Sequence, residues 1–418
     1  MKPTERSQAG KRASRPERAK GDKAWDAADW KYSALVASSM VPLFGKKVTP
    51  EEEMDGLEEI VRLHPAYYPA LYHLGGRKIA AGQEAEGRRL LLEAVDLMAR
   101  REGPAQFDPK SMDNVIEFLE ENLRYDVARE LLERLIQRYP HQALFYDELG
   151  AAALFLGDED AAAAMARKAV ELDPQNAHFL SNLGWAHLVA GRLDEAGKHL
   201  ERSLALMPAN EVTQGNCEVL RHLKRAGGTF MDYLLRPLDR KALERLEERC
   251  DRKGDFRDLD QAAAQWNHDR LDAWKRELCR RRDVPDYSEV YKSLRAFFGF
   301  VEKLSEDTYL LYEDMGWFQS RFARIMNKFI FKMSDADAEV IGEIYAGLFS
   351  FYGFLTERGL ADKTGYARFR SELLGMKRGI LDKAARYAKV RHDDSIPEQE
   401  KERVRGELFE GDHEWPGI

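Results

Sequence analysis

The chain has 418 residues, 44% apolar and 33% charged, with a net charge of −8, which suits two or three globular domains and argues against a general nucleic-acid binder. Ala, Leu, Glu, Arg and Lys dominate and β-branched alternation is missing, so the expected fold class is all-α. Three cysteines (Cys217, Cys250, Cys279) without CxxC spacing supply no disulfide framework, no apolar leader follows the basic start, and no stretch is long and apolar enough to span a bilayer, so a cytoplasmic protein without membrane contact is expected.

The first 23 residues hold Lys2, Arg6, Lys11, Arg12, Arg15, Arg18, Lys20 and Lys23 against Glu5, Glu17 and Asp22. That is a tail of +5 (8 − 3) ahead of a remainder of −13 (−8 − 5). A segment so poor in large apolar side chains cannot offset its ordering entropy, and residues 1–30 are expected to form a disordered basic tail. Docking of this tail on nucleic acid or an acidic surface, or back onto Glu117 and Glu121 of its own chain, is a secondary expectation. Residues 49–64 read as an N-terminal packing helix.

Further along, Pro140, Pro174 and Pro208 stand 34 residues apart (174 − 140 and 208 − 174). The unit 143–176 carries Tyr146, Leu149, Gly150, Gly157, Ala162, Ala169 and Pro174. The unit 177–210 carries Leu180, Leu183, Gly184, Gly191, Ala196 and Pro208 in the same register. Each reads as helix, turn, helix. Gly150 and Gly184 leave room for the second helix, Ala162 and Ala196 answer them, Gly157 and Gly191 take the turns, and the prolines end the units. Upstream, 68–101 shows the pattern through Leu71, Leu74, Gly75, Gly82 and Gly87. A seven-residue insertion (102–108) follows, and 109–142 matches only through Ala128, Leu132 and Pro140 in its second half. Downstream, 211–225 reads as the first helix of another, imperfect unit, with Ala226-Gly227-Gly228 as its turn.

Over roughly residues 65–228 this pattern resembles the tetratricopeptide repeat family. The resemblance implies a solenoid of helical hairpins, here assigned to 31–228, whose first helices line a concave groove and meet a partner through positions 2, 5, 9, 12 and 13 of each unit. Those positions hold Lys110, Asp113, Glu117, Glu120 and Glu121, then Leu144, Asp147, Ala151, Leu154 and Phe155, then His178, Ser181, Trp185, Leu188 and Val189. The expected groove has an apolar floor around Trp185, Leu154 and Phe155 and an acidic rim ahead of it. Such a surface suits a protein or peptide segment bearing Lys or Arg and one or two apolar anchors. Packing of Trp185 and Phe155 against another part of this chain is the alternative. Asn182 occupies a position like that of the carboxylate clamp with which some family members bind chaperone C-termini. Asp147 and Val212 stand where that clamp needs lysines, which disfavours such a ligand.

Residues 229–283 read as connecting and capping helices, one over 240–252 and one over 259–281 with Ala263, Trp266, Leu271, Trp274 and Leu278 on a broad apolar stripe. Lys275, Arg276, Arg280, Arg281 and Arg282 fall in its last turns, where they complement the helix dipole; a phosphate-binding patch is the sharper reading. Asp283-Val284-Pro285 marks a boundary. Four apolar-periodic segments (288–304, 307–333, 335–358 and 364–390) with short connections then imply an antiparallel helical bundle over 284–390, with Ser334 as an N-cap and Gly359 as a stop. Its many aromatics, and the small residues Gly342, Ala346, Gly347, Ser350 and Gly353, read as core packing, with a homodimer interface or an apolar pocket as alternatives. Residues 391–418 read as a polar, ill-ordered tail.

No P-loop, GxGxxG, GxSxG, HExxH or EF-hand string occurs, and Cys250, His268 and Cys279 are too widely spaced for a zinc set. Glu343, inside an apolar helix, would titrate high if buried and is more simply read as facing solvent. No catalytic residue, metal or cofactor is expected. The function expected is that of a non-catalytic protein-interaction adaptor. Its rivals are a regulator whose bundle binds a peptide or small apolar molecule in a sequestered cavity, and an enzyme with converging ionisable groups in the bundle.

Overall fold

The computed structural model describes residues 23–40, 48–102, 112–281, 287–305, 309–333, 336–391, 393 and 395–412. Among them are nineteen α-helices and no strand. The chain divides into two compact units, Met1–Glu120 with Asp126–Leu149, and Glu121–Tyr125 with Gly150–Ile418. The division falls within the repeats rather than after residue 228.

The first unit contains α1 (Lys23–Met40), α2 (Pro50–Leu63), α3 (Tyr68–Ala80), α4 (Glu84–Glu102) and most of α5 (Asp113–Glu121) and α6 (Tyr125–Arg138). Helix α2 starts with a capping box: Thr49 Oγ1 accepts from the Glu52 amide (3.2 Å) and Glu52 Oε2 accepts from the Thr49 amide (3.0 Å). Helices α3 and α4 approach so closely that a Cβ on Gly75 would lie 2.9 Å from the Gly87 carbonyl oxygen. Arg134 and Arg138 of α6 both reach Asp96 of α4 and hold its carboxyl below the usual range. Residues 23–30 are not part of a disordered tail: Trp25 and Ala28 of α1 are buried in this unit's core, and Trp25 meets Tyr67 edge-on with centroids 4.6 Å apart. Large apolar side chains there give the segment what the first 22 residues lack. Those 22, residues 103–108 of the insertion 102–108, and the expected groove position Lys110 lie outside the described residues.

In the second unit the repeat geometry follows the glycine pattern. The C-terminal turns of α7 (Ala143–Phe155) lie on α8 (Glu159–Leu172), where a Cβ on Gly150 would stand 3.1 Å from the Ala162 carbonyl. Helix α8 packs on α9 (Ala177–Val189), α9 on α10 (Leu193–Leu206), and α10 on α11 (Glu211–Ala226). Turn glycines Gly157 and Gly191 adopt φ of +77° and +74°. The equivalent position one repeat earlier, 34 residues before Gly157, is Leu123 at φ +55°, a conformation that costs a side-chain-bearing residue about 1 kcal/mol. Its side chain packs on the large core of this unit, which offsets that strain.

Beyond α11 come α12 (Phe230–Leu234), α13 (Arg240–Lys253), α14 (Arg257–Arg280), α15 (Tyr287–Leu304), α16 (Met315–Lys332), α17 (Ala338–Glu357), α18 (Lys363–Arg391) and α19 (Glu398–Leu408). The expected bundle forms from α15 to α18, with α15 on α17, α16 on α18 and α17 on α18. Asp337, not Ser334, caps α17 by accepting from the Glu339 and Val340 amides; Ser334 lies outside the described residues. Gly347 lets α15 in, since a Cβ there would sit 2.8 Å from Leu294 Cβ. The apolar core is continuous from Leu188 of the repeats through Trp274 to Phe409, so no domain boundary separates 229–283 from 284–390. Residues 398–409 are more than a tail: Leu408 at the end of α19 is buried, and Phe409 just after it is fully buried and packs on Tyr387 and Phe331.

These packings predict opposite effects for two glycines. Gly184→Ala drives a methyl group to 2.7 Å from Leu200 Cγ and is expected to lower stability by about 1–3 kcal/mol, whereas Gly215→Ala, with open space in mid-helix, is expected to raise it by about 0.5–1 kcal/mol. Leu183→Ala is expected to cost about 2–5 kcal/mol. Urea titrations of the three variants read all three values.

Candidate functional site

Partner-facing positions expected on the first helices fall into two classes in the second unit. Toward the start of α9, His178 and Asn182 are exposed. Toward the ends of α7 and α9, Leu154 is 5% exposed, Leu188 is fully buried, and Phe155, Trp185 and Val189 are half-buried. The covering groups come from this chain's own α12 and α14. Trp185 meets Phe230 of α12 edge-on, with centroids 4.7 Å apart at 79°. Phe155 stacks on Tyr125 (4.3 Å, 14°), while Lys275 Nζ and the Arg276 guanidinium of α14 lie 4.6 and 4.7 Å from its centroid. Arg276 also lies 5.0 Å from the Phe230 ring. The apolar floor is therefore an internal seam rather than an open anchor site.

Ion pairs and hydrogen bonds hold the same edge. Arg280 reaches Glu159 at 3.1 Å and lies beside Gly157, where a Cβ would meet Arg280 Nε at 3.0 Å. Lys292 Nζ donates to Asn122 Oδ1 (2.9 Å). Arg281 pairs with Glu277 at 3.4 Å. The basic run at the end of α14 is thus spent on aromatic faces and carboxylates of its own unit, neither a dipole complement alone nor a phosphate patch; Arg282 lies outside the described residues. Arg270, fully buried on α14, anchors the exit of α12. It donates to the Leu234 carbonyl, to the Arg236 carbonyl at 2.6 Å and to Glu313 at 2.8 Å, and it lies 4.0 Å from the Trp266 centroid. A buried charge with this many partners is compensated.

Ser181 also leaves the groove. It is 2% exposed, and its Oγ accepts from Thr213 Oγ1 at 2.9 Å while Ser203 Oγ donates to the Ala177 carbonyl at 2.7 Å, a polar spine joining α9, α10 and α11. In the first unit, Leu144 and Asp147 on α7 are half-buried; on α5, Glu117 is exposed, Glu120 half-buried, and Asp113 opens the helix. Glu121, at the end of α5 and within the second unit, is exposed. The carboxylates expected as an acidic rim thus include exposed ones.

The bundle core is filled. Phe297, Phe298, Phe318, Phe322, Phe351 and Tyr352 are all fully buried, and Tyr352 Oη donates to the Tyr312 carbonyl at 2.8 Å. Leu374 is the one large apolar bundle side chain that is substantially exposed among the described residues. Glu343 is half-buried rather than facing solvent; burial pushes its carboxyl above the usual range although Ser293 Oγ donates to it at 2.6 Å. Among the described residues no three His, Cys, Asp or Glu side chains are placed to hold a metal ion, and no helix is long and apolar enough to cross a membrane.

A family model for the tetratricopeptide repeat matches residues 119–177 and 148–211. Solved structures found by shape include YrrB, described as a TPR protein with an unusual peptide-binding site (13% identity, 47% of this chain and 90% of that one, TM-score 0.32). MamA from Desulfovibrio magneticus RS-1 is another (20% identity, 46% and 98%, TM-score 0.32), as is TTC0263, a thermophilic TPR protein of Thermus thermophilus (19% identity, 46% and 99%, TM-score 0.24). No curated protein sequence matches the chain. Residues 119–211 are tetratricopeptide repeats, and the protein is an all-α molecule carrying a protein-interaction module.

Two outcomes follow for α9. Trp185→Ala is expected to lower the stability of the chain by about 2 kcal/mol in chemical denaturation, because it opens the seam with Phe230. His187, 3% exposed and stacked on His199 at 5.5 Å, is held down to about 4 by burial first and then by Arg192, His199 and Arg167. The unfolded chain takes up this proton near 6.5 and the folded chain only near 4, so stability falls as pH drops through that window, by up to about 3 kcal/mol. His187→Gln is expected to flatten that slope in denaturation curves recorded across it.

Proposed function

We propose that the protein is a non-catalytic adaptor whose repeats bind a segment of a protein partner through the polar, exposed starts of the first helices. The observation that carries this reading is the split of α9: in its second half Trp185 is covered by Phe230 of α12 and Leu188 is fully buried, while His178 and Asn182 remain at the surface of a helix stiffened by the Ser181–Thr213 contact. A rigid, hydrogen-bonding face of this kind recognises a chain through polar groups at low reorganisation cost. Each unit carries an exposed carboxylate on α5, Glu117 in the first and Glu121 in the second, and each favours a partner segment with Lys or Arg, steering its approach more than deciding its affinity. The apolar anchors expected from Trp185 and Phe155 are not part of this reading, since both rings already have partners within the chain.

Affinity capture with tagged full-length protein tests it. His178→Ala/Asn182→Ala and Glu117→Lys/Glu121→Lys are expected to lose partners that the parent chain retains, at unchanged helical content by circular dichroism. The charge-reversal loss should also be mimicked by raising salt, because exposed charges are screened within about 10 Å at 0.1 M. Retrieval of identical partners by all three proteins would overturn the proposal.

A further inference from the structure

A trough runs along α13 in the second unit, away from the repeats. It has two basins of about 550 and 490 Å3 that share Glu247, Tyr309 and Leu310 in their walls. One wall is α13 itself, a strongly polar helix with Cys250 buried and Leu243 and Leu246 half-buried, which turns into α14 through Gly254 in the left-handed conformation. The floor is apolar: Phe256, Leu259, Ala263 and Leu310 in one basin, Leu243, Leu311 and Trp317 in the other. Phe256 is 43% exposed, while Leu259, Ala263 and Leu310, which form the floor of that basin with it, are 2%, 5% and 6% exposed. The floor is also fixed in place. Asn267, 3% exposed, donates from Nδ2 to the Leu310 carbonyl at 2.7 Å and accepts at Oδ1 from the Tyr312 amide at 2.8 Å.

The charge lining this apolar floor is of one sign over most of its length. Among the described residues, the charged groups bordering the first basin are Glu247, Asp260 and Glu302. Glu244, Glu247 and Asp314 border the second, with Arg240 and Arg321 also in its lining. Glu244 and Glu247 stand three residues apart and so project from one face of α13 toward the same occupant. The Tyr309 phenol, between the basins, is pushed up by burial and then by Glu247, in keeping with a negative potential there. A single round cavity would suit a compact molecule; two neighbouring basins that share a wall suit an extended chain, whose same-side side chains recur every second residue.

We infer that this trough is a second binding site, for a short extended peptide segment of a protein partner in which Lys or Arg alternates with an apolar side chain. The apolar side chain enters against Phe256, Leu259 and Ala263, and the cations meet Glu244 and Glu247. This is separate from the repeat surface, so one adaptor holds two segments.

The probe is a fluorescein-labelled peptide, Lys-Leu-Lys-Leu-Lys-Leu, titrated with the full chain by fluorescence anisotropy. Binding is expected, with a Glu-Leu-Glu-Leu-Glu-Leu control inactive. Glu244→Gln/Glu247→Gln is expected to weaken the Lys peptide about tenfold, and Ala263→Trp, which fills the first basin, by at least as much. Glu117→Lys/Glu121→Lys and the off-trough Glu248→Gln are expected to leave it unchanged, with circular dichroism monitoring the fold of every variant. Absence of binding, equal binding by Glu244→Gln/Glu247→Gln, or complete displacement by spermine at the peptide's own affinity would each overturn the proposal, the last by assigning the trough to a small polyamine. If Ala263→Trp does not fold, the Glu244→Gln/Glu247→Gln result alone decides.

Discussion

The second unit depends on a seam in which aromatic rings at the ends of the repeat helices meet cations and aromatics of α12 and α14. Tyr125, Phe155 and Trp185 supply one side; Phe230, Lys275 and Arg276 supply the other. Each pairing is modest, about 0.5–2 kcal/mol for ring–ring or cation–ring contacts beyond area burial. Together they convert a helical array, which ordinarily touches only its neighbours, into one wall of a globular core reaching to Phe409. The remaining features of this unit follow from it: α14 can be long because its broad apolar stripe has two surfaces to cover, and α12 can be as short as five residues because Arg270 and Trp185 fix both of its ends.

Much of the fold was legible because the rules that make hairpins are local. Gly150 opposite Ala162, Gly184 opposite Ala196 and Gly75 opposite Gly87 are steric statements within about 15 residues of chain, and spacing alone exposes them. The turn at Leu123 was illegible for the complementary reason: its positive φ is sustained by packing against residues far away in sequence, which no turn signature records. The same holds at the termini. Trp25 makes a helix start where charge counting placed a tail, and Phe409 docks α19 where composition placed disorder.

At the candidate site, the described positions named from the repeat register fall on α5, α7 and α9, but their surroundings are decided elsewhere. Whether Trp185 points to a visitor or to Phe230 is a matter of which segment returns to it 45 residues later (230 − 185), and no periodicity encodes that. Ser181 shows the same limit in polar form: its role as part of a buried spine needs Thr213, a residue of the next repeat unit. The broad stripe of α14, wider than one packing face requires, was the signal that could have revealed the seam. His178 and Asn182 lie at the surface of α9.

The seam also fixes how many repeats this molecule can have. In an open solenoid, an extra hairpin slides in anywhere because each unit recognises only the one beside it. Here Phe155 and Trp185 are addressed individually, the first by Arg276 and the second by Phe230, so a 34-residue duplication between α8 and α9 would carry Trp185 one step along the array and leave α12 facing a different helix. Length variation is thus confined to the part of the chain that α12 and α14 do not measure.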